Sequence, residues 1–205
     1  FLIEDCSQAH GAKIRIDNKW RSVGSFGDVA TWSFCQDKII STGGEGGIVS
    51  TSDEKIRDFC WSIKDHGKTL GAIKAQEKKL GFKWLHERFG TNYRLSEIQS
   101  AIGRIQLTKL EEWNKIRSFN ASILESNLQN LDLIRLPKIN ENIRHAWYKF
   151  YCYLNLEQLS PEWDRNRIIK TINDYGYPAF SGSCSEIYLE KCFKKISSNY
   201  KRLKN

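Results

Sequence analysis

The sequence predicts an α/β fold, because stretches typical of strands and of helices alternate along its 205 residues. Residues 29–34 (VATWSF) are a run of β-branched and aromatic side chains, which is typical of a buried strand. Two capping-box patterns, Thr51 with Glu54 and Ser96 with Gln99, indicate where helices begin. A chain of this length can bury a core, and it can hold one large domain or two small ones.

The first third of the chain is predicted to consist mainly of strands joined by tight turns. In chain order we expect a strand end at 1–4, a turn at 6–12, a strand pair around 14–16 that turns at Asp17-Asn18, the strand at 29–34, a glycine turn at 43–47 and a strand at 48–50.

Helices are predicted to dominate the middle of the chain, and a mixed pattern follows Pro137. In chain order we expect a helix from the Thr51 capping box to about 64, a long loop over 66–90, a helix from the Ser96 capping box to about 127, a strand at 147–154, a helix at 165–175 and a short helix at 186–195. The helix that begins near Ser96 is long enough to link two domains.

Composition narrows the class of protein. No run of 18 apolar residues is present, so no membrane span is predicted. The net charge of +8 raises the question of nucleic acid, but the lysines and arginines are scattered, which favours a solvated basic surface or an anionic small ligand. The six cysteines and four histidines show no zinc spacing, so we expect no metal site, reduced thiols and a cytoplasmic location.

Three residues near predicted strand ends could carry chemistry. Asp5 ends the first strand, and Lys38 follows the strand at 29–34, which contains Ser33. Proteins of the α/β class place ligands at the carboxyl ends of strands. A lysine can form a Schiff base with a carbonyl cofactor, an aspartate can keep a pyridinium nitrogen protonated, and a serine hydroxyl can donate to a phosphate. By residue type alone this signal is weak, because most lysines are solvated and an ordinary surface role is favoured for Lys38.

The order and spacing of several short segments add a resemblance. The segments are 3–12 (IEDCSQAHGA), 24–28 (GSFGD), Ser33-Phe34 with Lys38, 44–47 (GEGG), His66-Gly67, 90–95 (GTNYRL) and 97–107 (EIQSAIGRIQL). Together they resemble the DegT/StrS-like nucleotide-sugar aminotransferases over residues 1 to about 117. The tail, with 145–148 (HAWY) and 181–183 (SGS), resembles the small domain of that family less specifically.

The resemblance implies a fold type I pyridoxal-phosphate enzyme. Residues 1–118 would be the remainder of its large domain, a mostly parallel sheet with the start of the interdomain helix, and residues 119–205 would be part of an α+β small domain. Lys38 would be the Schiff-base lysine, Asp5 would hold the pyridinium nitrogen, Gln8 would contact the 3-oxygen of the ring and Ser33 would bind the phosphate.

The resemblance also implies partners. Asn92 would reach across a homodimer interface to the phosphate of the partner's cofactor, and His66 is a candidate substrate contact. The substrate would be a nucleotide-linked keto sugar, and the amino donor would be glutamate. We expect a role in surface polysaccharide biosynthesis, with lipopolysaccharide as one product class.

The sequence leaves three alternatives open. The chain contains no methionine and opens on the Asp5 strand, so we expect it to be the central and carboxyl-side portion of such an enzyme. It could instead be a truncated, non-catalytic remnant or subunit. Nucleic-acid binding is the third alternative, and it would require salt-sensitive affinity for random DNA.

Overall fold

The computed structural model describes residues 1–78, 80–182, 184 and 186–193. The strands are β1 (Ile3–Asp5), β2 (Lys13–Ile16), β3 (Lys19–Ser22), β4 (Val29–Ser33), β5 (Gly47–Ser50), β6 (Ile134–Arg135), β7 (Ile143–Arg144) and β8 (Tyr153–Leu154). The α-helices are α1 (Glu54–Lys64), α2 (Leu70–Gln76), α3 (Glu97–Leu128) and α4 (Arg165–Asp174). The predicted α/β class is confirmed. Among the described residues, no helix is both long enough and apolar enough to cross a bilayer.

The sheet that carries the sequence-predicted site has the order β1-β4-β5. Strands β1 and β4 are parallel, with Asp5 opposite Thr31. Strand β5 is antiparallel to β4, whereas we predicted a mostly parallel sheet. The reason is the connection, because the amide of Phe34 donates to the carbonyl of Gly46 at 2.8 Å and closes the intervening segment as a hairpin-like return.

A second sheet, of order β3-β2-β7, is antiparallel throughout. The predicted turn at Asp17-Asn18 is confirmed, and both residues have positive φ values (49° and 59°), as a tight hairpin turn requires. Strand β7 joins from far along the chain, and Arg15 fixes it by donating from Nε to Asn142 Oδ1 at 2.8 Å.

Helix α1 ends at Lys64 as predicted, but its predicted capping box is wrong. Asp53 is the N-cap, and its carboxylate accepts the amides of Lys55 and Ile56. The Thr51 hydroxyl instead donates to the carbonyl of Asp28 at 2.6 Å. An aspartate next to the helix start is a better acceptor than a threonine already engaged elsewhere.

The capping box that begins α3 is confirmed. The amide of Ser96 donates to Gln99 Oε1 at 3.2 Å, and the amide of Gln99 donates to Ser96 Oγ at 3.3 Å. The helix then runs to Leu128, close to the predicted end at 127. Before it, residues 66–90 are not a plain loop as predicted, because α2 forms within them and Thr69 caps it.

The aromatic run at 147–154 is a strand only at β8, so this prediction is largely wrong. Trp147 has a positive φ of 50°, which no strand permits. Arg117 of α3 donates to the carbonyls of Trp147 (3.0 Å) and Tyr148 (3.2 Å), and these carbonyls therefore have partners outside any sheet. Tertiary contacts override the local strand preference here.

The chain divides into two compact units. The first is Phe1–Ser126 with Lys138–Phe150, and the second is Asn127–Pro137 with Tyr151–Asn205. The core of the first unit contains Ala12, Ile39, Ala146 and Tyr148, all at most 9% exposed. The predicted domain division at residues 118 and 119 stays a prediction.

The second unit contains the β6-β8 pair and α4. Helix α4 confirms the helix predicted at 165–175, with Asp164 as its N-cap and Gly176 beyond its end at a φ of 85°. The short helix predicted at 186–195 is instead two 3₁₀ turns, Ile187–Leu189 and Lys191–Phe193. Aromatic and β-branched residues in this stretch form α-helix poorly. Residues 194 and 195 lie outside the described residues.

One carboxylate organises the loop between the two sheets. Glu4 of β1 accepts the amides of Gly24 (2.7 Å), Phe26 (2.7 Å) and Gly27 (2.6 Å). Burial alone raises the pKa of the Glu4 carboxyl, but the three amides and Arg21 outweigh it and hold the pKa below its ordinary value.

We therefore predict that Glu4→Gln lowers the free energy of unfolding by about 1–3 kcal/mol at pH 7, since an NH₂ group replaces an acceptor of backbone amides. A carboxyl with a depressed pKa stabilises the fold only while it is ionised. The difference between wild type and variant, measured by urea denaturation, should therefore shrink as the pH falls through the pKa of folded Glu4.

Glu111→Gln is the matched control, because Glu111 lies exposed on α3 and forms a surface ion pair with Lys115 at 3.3 Å. Its effect should stay within about 0.5 kcal/mol. Equal effects of the two substitutions, or a Glu4→Gln difference that does not depend on pH, would contradict the prediction.

Candidate functional site

The candidate site begins where β1 and β4 end side by side. Asp5 is the last residue of β1, and Ser33 is the last residue of β4. Because the two strands are parallel, their carboxyl ends lie at the same edge of the sheet. The amide of Cys6 continues the pairing by donating to the carbonyl of Thr31 at 2.9 Å. The chain thereby brings the Asp5 carboxylate to the edge from which the Lys38 segment leaves.

Lys38 is held in place by its neighbours along the chain. Ile39 and Ile40 are each 3% exposed, and Thr42 is 1% exposed. The amide of Lys38 donates to the carbonyl of Cys35 at 3.0 Å, which makes the turn after β4. The side chain of Lys38 is only 15% exposed, so its amine lies in a partly enclosed space rather than in bulk water.

Helix α3 fixes the glycine turn that follows Lys38. Gln106 Oε1 accepts the amide of Ser41 at 2.8 Å, and Gln99 Nε2 donates to the carbonyl of Glu45 at 2.7 Å. Gly43 and Gly44 have φ values of 78° and 145°, which residues with a Cβ rarely adopt. The unusual backbone expected for this turn is confirmed at these two glycines.

The charges of the site are coupled. Hydrogen bonds from Ser7 lower the pKa of the Asp5 carboxyl, and the charge of Lys38 lowers it further. Burial lowers the pKa of the Lys38 amine, but Tyr148 and Asp37 raise it more strongly, and the net shift is upward. The hydrogen bond from Tyr148, together with the charge and hydrogen bond of Lys38, lowers the pKa of Asp37 to about 2. At neutral pH the site holds two carboxylates around one ammonium group.

Tyr148 and Asp37 join the site without having been expected from the sequence. The Tyr148 hydroxyl donates to Asp37 Oδ2, and Lys38 Nζ donates to the Tyr148 oxygen at 3.4 Å. Lys38 Nζ also lies 3.4 Å from Asp37 Oδ1. The adjacency of Asp37 to Lys38 was a signal in the sequence. Tyr148 stands 110 residues from Lys38, and nothing in its local pattern indicates the contact.

Ser33 and Gln8 also have cofactor contacts that the resemblance implies. The Ser33 hydroxyl oxygen accepts the amide of Cys35 at 3.3 Å, so its proton is available to another acceptor. Gln8 is exposed in the turn after β1. Both roles stay predictions, because no contact of a ligand tests them.

His66 and Asn92 lie together in a second cluster. The amide of His66 donates to the carbonyl of Thr91 at 2.9 Å, and Arg94 donates from Nε to Asn92 Oδ1 at 3.0 Å. Arg94 Nη2 lies 3.5 Å from His66 Nε2, and Asp65 pairs with both Arg94 (3.5 Å) and Lys68 (3.4 Å). None of these hydrogen bonds and ion pairs reaches Lys38.

Comparison with known proteins decides the family. Residues 1–180 match the profile of the DegT/DnrJ/EryC1/StrS aminotransferase family. The chain belongs to that family. The predicted resemblance is therefore confirmed.

Relatives in the DegT/DnrJ/EryC1/StrS family include named sugar-modifying enzymes. The GDP-perosamine synthase of Vibrio cholerae is 32% identical over 98% of this chain and 51% of its own length. The GDP-perosamine synthase of Escherichia coli O157:H7 is 34% identical over 72% of this chain and 36% of its own length. The chain thus spans about half or less of the curated relatives that it matches.

Solved structures of the family agree in fold. An aminotransferase from Psychrobacter cryohalolentis superposes with a TM-score of 0.85 and 45% identity, over 95% of this chain and 50% of the other. DesV of Streptomyces venezuelae was solved with a ketimine intermediate. It superposes with a TM-score of 0.75 and 28% identity, over 93% of this chain and 45% of the other. A partial aminotransferase fold is therefore confirmed.

The residues of this chain fit the cofactor of the family. Pyridoxal phosphate requires an amine for its aldehyde and an anion for its ring nitrogen. Lys38 and Asp5 supply these two groups at one edge of the sheet, and their charges interact. Ser33, at the end of β4, adds a hydroxyl whose oxygen accepts the Cys35 amide and whose proton can be donated. The donor set therefore matches the chemistry of the group.

We predict that Gly90→Ala disrupts the His66 cluster. A Cβ at Gly90 would lie against the backbone nitrogen of Gly67 and 2.6 Å from the backbone carbon of His66, and neither can yield easily. The free energy of unfolding should fall by about 1–3 kcal/mol. Hydrogen exchange at the amides of His66 and Thr91 should accelerate, which mass spectrometry of fragments can measure.

Gly71→Ala is the matched control, because Gly71 lies in α2 with nothing within 4 Å of the place that a Cβ would occupy. It should be neutral or stabilise the protein by up to about 1 kcal/mol. An unchanged exchange rate at His66 in a folded Gly90→Ala variant would refute the prediction.

Proposed function

We propose that this protein is a pyridoxal-phosphate-dependent aminotransferase that acts on a nucleotide-linked keto sugar. The observation that carries the proposal is the placement of Asp5 at the carboxyl end of β1, beside the parallel strand β4 from whose carboxyl end the Lys38 segment leaves. Both residues lie in the ordered segments by which the chain resembles its family. The relatives named as GDP-perosamine synthases support a sugar substrate.

The bound cofactor would supply an electron sink for negative charge that develops on carbon. With the cofactor bound, Lys38 would have two roles. Its amine would hold the cofactor, and once free it would take a proton from a carbon of the amino donor and later deliver a proton to the sugar carbon. The enclosed setting of its side chain keeps bulk water from competing for that proton.

Asp5 would hold the proton on the ring nitrogen. Its carboxylate stays ionised because the Ser7 hydrogen bonds and the Lys38 charge lower its pKa, so it can accept a hydrogen bond from a pyridinium. Ser33 would donate its hydroxyl proton to the phosphate, and Gln8 would contact the 3-oxygen of the ring.

The second cluster would serve a homodimer. Asn92 Oδ1 accepts from Arg94, which leaves the amide NH₂ to donate to the phosphate of the partner's cofactor. His66, next to Arg94, would contact the substrate. The net charge of +8 suits an anionic cofactor and a nucleotide sugar. The proposal further includes glutamate as the amino donor and a cytoplasmic location. It also includes a role in surface polysaccharide or lipopolysaccharide biosynthesis.

We predict that Lys38 is the lysine that pyridoxal phosphate labels. The protein is mixed with the cofactor, the Schiff base is reduced with borohydride, and peptide mass spectrometry locates the modified lysine. Lys38 should carry the label in wild type and in the control Lys109→Ala, whose exposed lysine lies on α3. In Lys38→Ala, no other lysine should be labelled to a comparable extent, because the proposal requires the partly enclosed setting next to Asp5.

Labelling spread evenly over exposed lysines would contradict the aminotransferase assignment. A flat absorbance titration with the cofactor would favour the alternative of a non-catalytic subunit.

We predict that Asp5→Asn retains labelling at Lys38 but loses transamination. An amide cannot stabilise a protonated ring nitrogen as a carboxylate does, so turnover of glutamate with a nucleotide keto sugar should fall by at least about 100-fold. Asp17→Asn, in the β2-β3 turn, is the control and should keep full activity. Activity of Asp5→Asn close to that of wild type would exclude the proposed role.

A further inference from the structure

Tyr148 is fixed in place from several sides. It is 9% exposed and packs in the core with Ala12 and Ile39. Arg117 of α3 donates to its carbonyl at 3.2 Å and to that of Trp147 at 3.0 Å. Trp147 adopts a positive φ of 50°, a conformation that bulky side chains take only when their surroundings impose it. The backbone is thus bent where it brings the Tyr148 ring beside Lys38.

The direction of the hydrogen bonds defines what Tyr148 offers to Lys38. Its hydroxyl proton is donated to Asp37 Oδ2, so its oxygen lone pairs face Lys38 Nζ at 3.4 Å. Nζ lies 4.8 Å from the centre of the Tyr148 ring, in the range of a cation–π contact. Since the oxygen can only accept from Lys38 in this arrangement, the contact favours the protonated amine.

We propose that Tyr148 is a positioning residue for the Lys38 amine, and that Asp37 orients the Tyr148 hydroxyl for this task. The inference rests on the proposed function. In a transamination the lysine nitrogen is released from the cofactor and then carries a proton between two carbons. Tyr148 holds the released nitrogen at one place while it carries that proton. No proton passes to Tyr148, whose own proton stays in the bond to Asp37.

The other charged groups near Lys38 do not duplicate this role. Asp5 accepts the amide of Ser7 at 3.0 Å and is assigned to the ring nitrogen. Burial lowers the pKa of His10 below its ordinary value, so its ring is neutral at pH 7. Lys149 Nζ lies 3.6 Å from Asp37 Oδ2 and neutralises part of that carboxylate. Among the described residues, the acceptors that contact Nζ are therefore the Tyr148 oxygen and the Asp37 carboxylate.

The test measures the titration of Lys38 without any cofactor. Lysines are methylated reductively with ¹³C-formaldehyde, the Lys38 signal is assigned with Lys38→Arg, and its pKa is read from the NMR shift against pH. In Tyr148→Phe, which keeps the ring in the core, the pKa of Lys38 should fall below that of wild type. Tyr175→Phe removes the hydroxyl of an exposed tyrosine (78% exposed) and should leave it unchanged.

A Lys38 pKa in folded Tyr148→Phe equal to that of wild type would overturn the proposal. If Tyr148→Phe does not fold, Asp37→Asn is the second variant, since the Asp37 side chain is 46% exposed and its replacement removes both the charge beside Nζ and the acceptor that orients the phenol. There too the pKa of Lys38 should fall, and an unchanged value would overturn the proposal.

Activity adds a second readout. In Tyr148→Phe, kcat should fall about 10- to 100-fold while KM for the keto sugar stays within about twofold, because a misplaced nitrogen slows proton transfer without weakening substrate binding. An unchanged kcat would overturn the proposal. Failure to label Lys38 with pyridoxal phosphate would refute the aminotransferase assignment instead, and the cofactor-free titration would still report on Tyr148.

Discussion

The parallel pairing of β1 with β4 is the constraint on which the candidate site depends. It sets Asp5 opposite Thr31, so the carboxylate and the Lys38 segment leave the sheet at the same edge. Side chains alternate between the faces of a strand, and a slip of one residue would turn Asp5 to the opposite face. Glu4 stabilises this register from the other face, because its carboxylate binds three amides of the loop that leads into β4.

Helix α3 fixes the glycine turn, the turn after β1 and the bend at Trp147 through hydrogen bonds of its side chains. Polar side chains along it each bond the backbone of a different segment: Gln99 bonds Glu45, Gln106 bonds Ser41, Asn114 bonds His10 and Arg117 bonds Trp147 and Tyr148. One helix therefore positions the glycine turn, the turn after β1 and the bend that carries Tyr148. Side chains that satisfy backbone groups in this way fix loops for which no sheet or helix provides partners.

Prediction from the sequence succeeds where local chemistry decides the outcome and fails where distant groups intervene. Ser96 with Gln99 forms its capping box, whereas the same pattern at Thr51 fails because the Thr51 hydroxyl bonds Asp28. The α/β class and the family were predictable from patterns and ordered segments. The bend at Trp147 and its link to Lys38 were not, because Arg117 and Asp37 act on it from far along the chain.

The exposure of Asp37 is compatible with the proposed function, in which Lys38 is held in place and yet able to give up its proton. Under the proposed function Lys38 has to give its proton away, and a fully buried carboxylate beside it would fix the ammonium too firmly for that, since a buried pair resists separation. The Asp37 side chain is 46% exposed and forms an ion pair with Lys149. Its carboxylate also accepts a hydrogen bond from the Tyr148 hydroxyl. Solvent screening weakens such a pair. The phenol thus supplies a defined position for Nζ, while the half-exposed Asp37 carboxylate, which contacts both groups, favours the charged form without burying an ion pair.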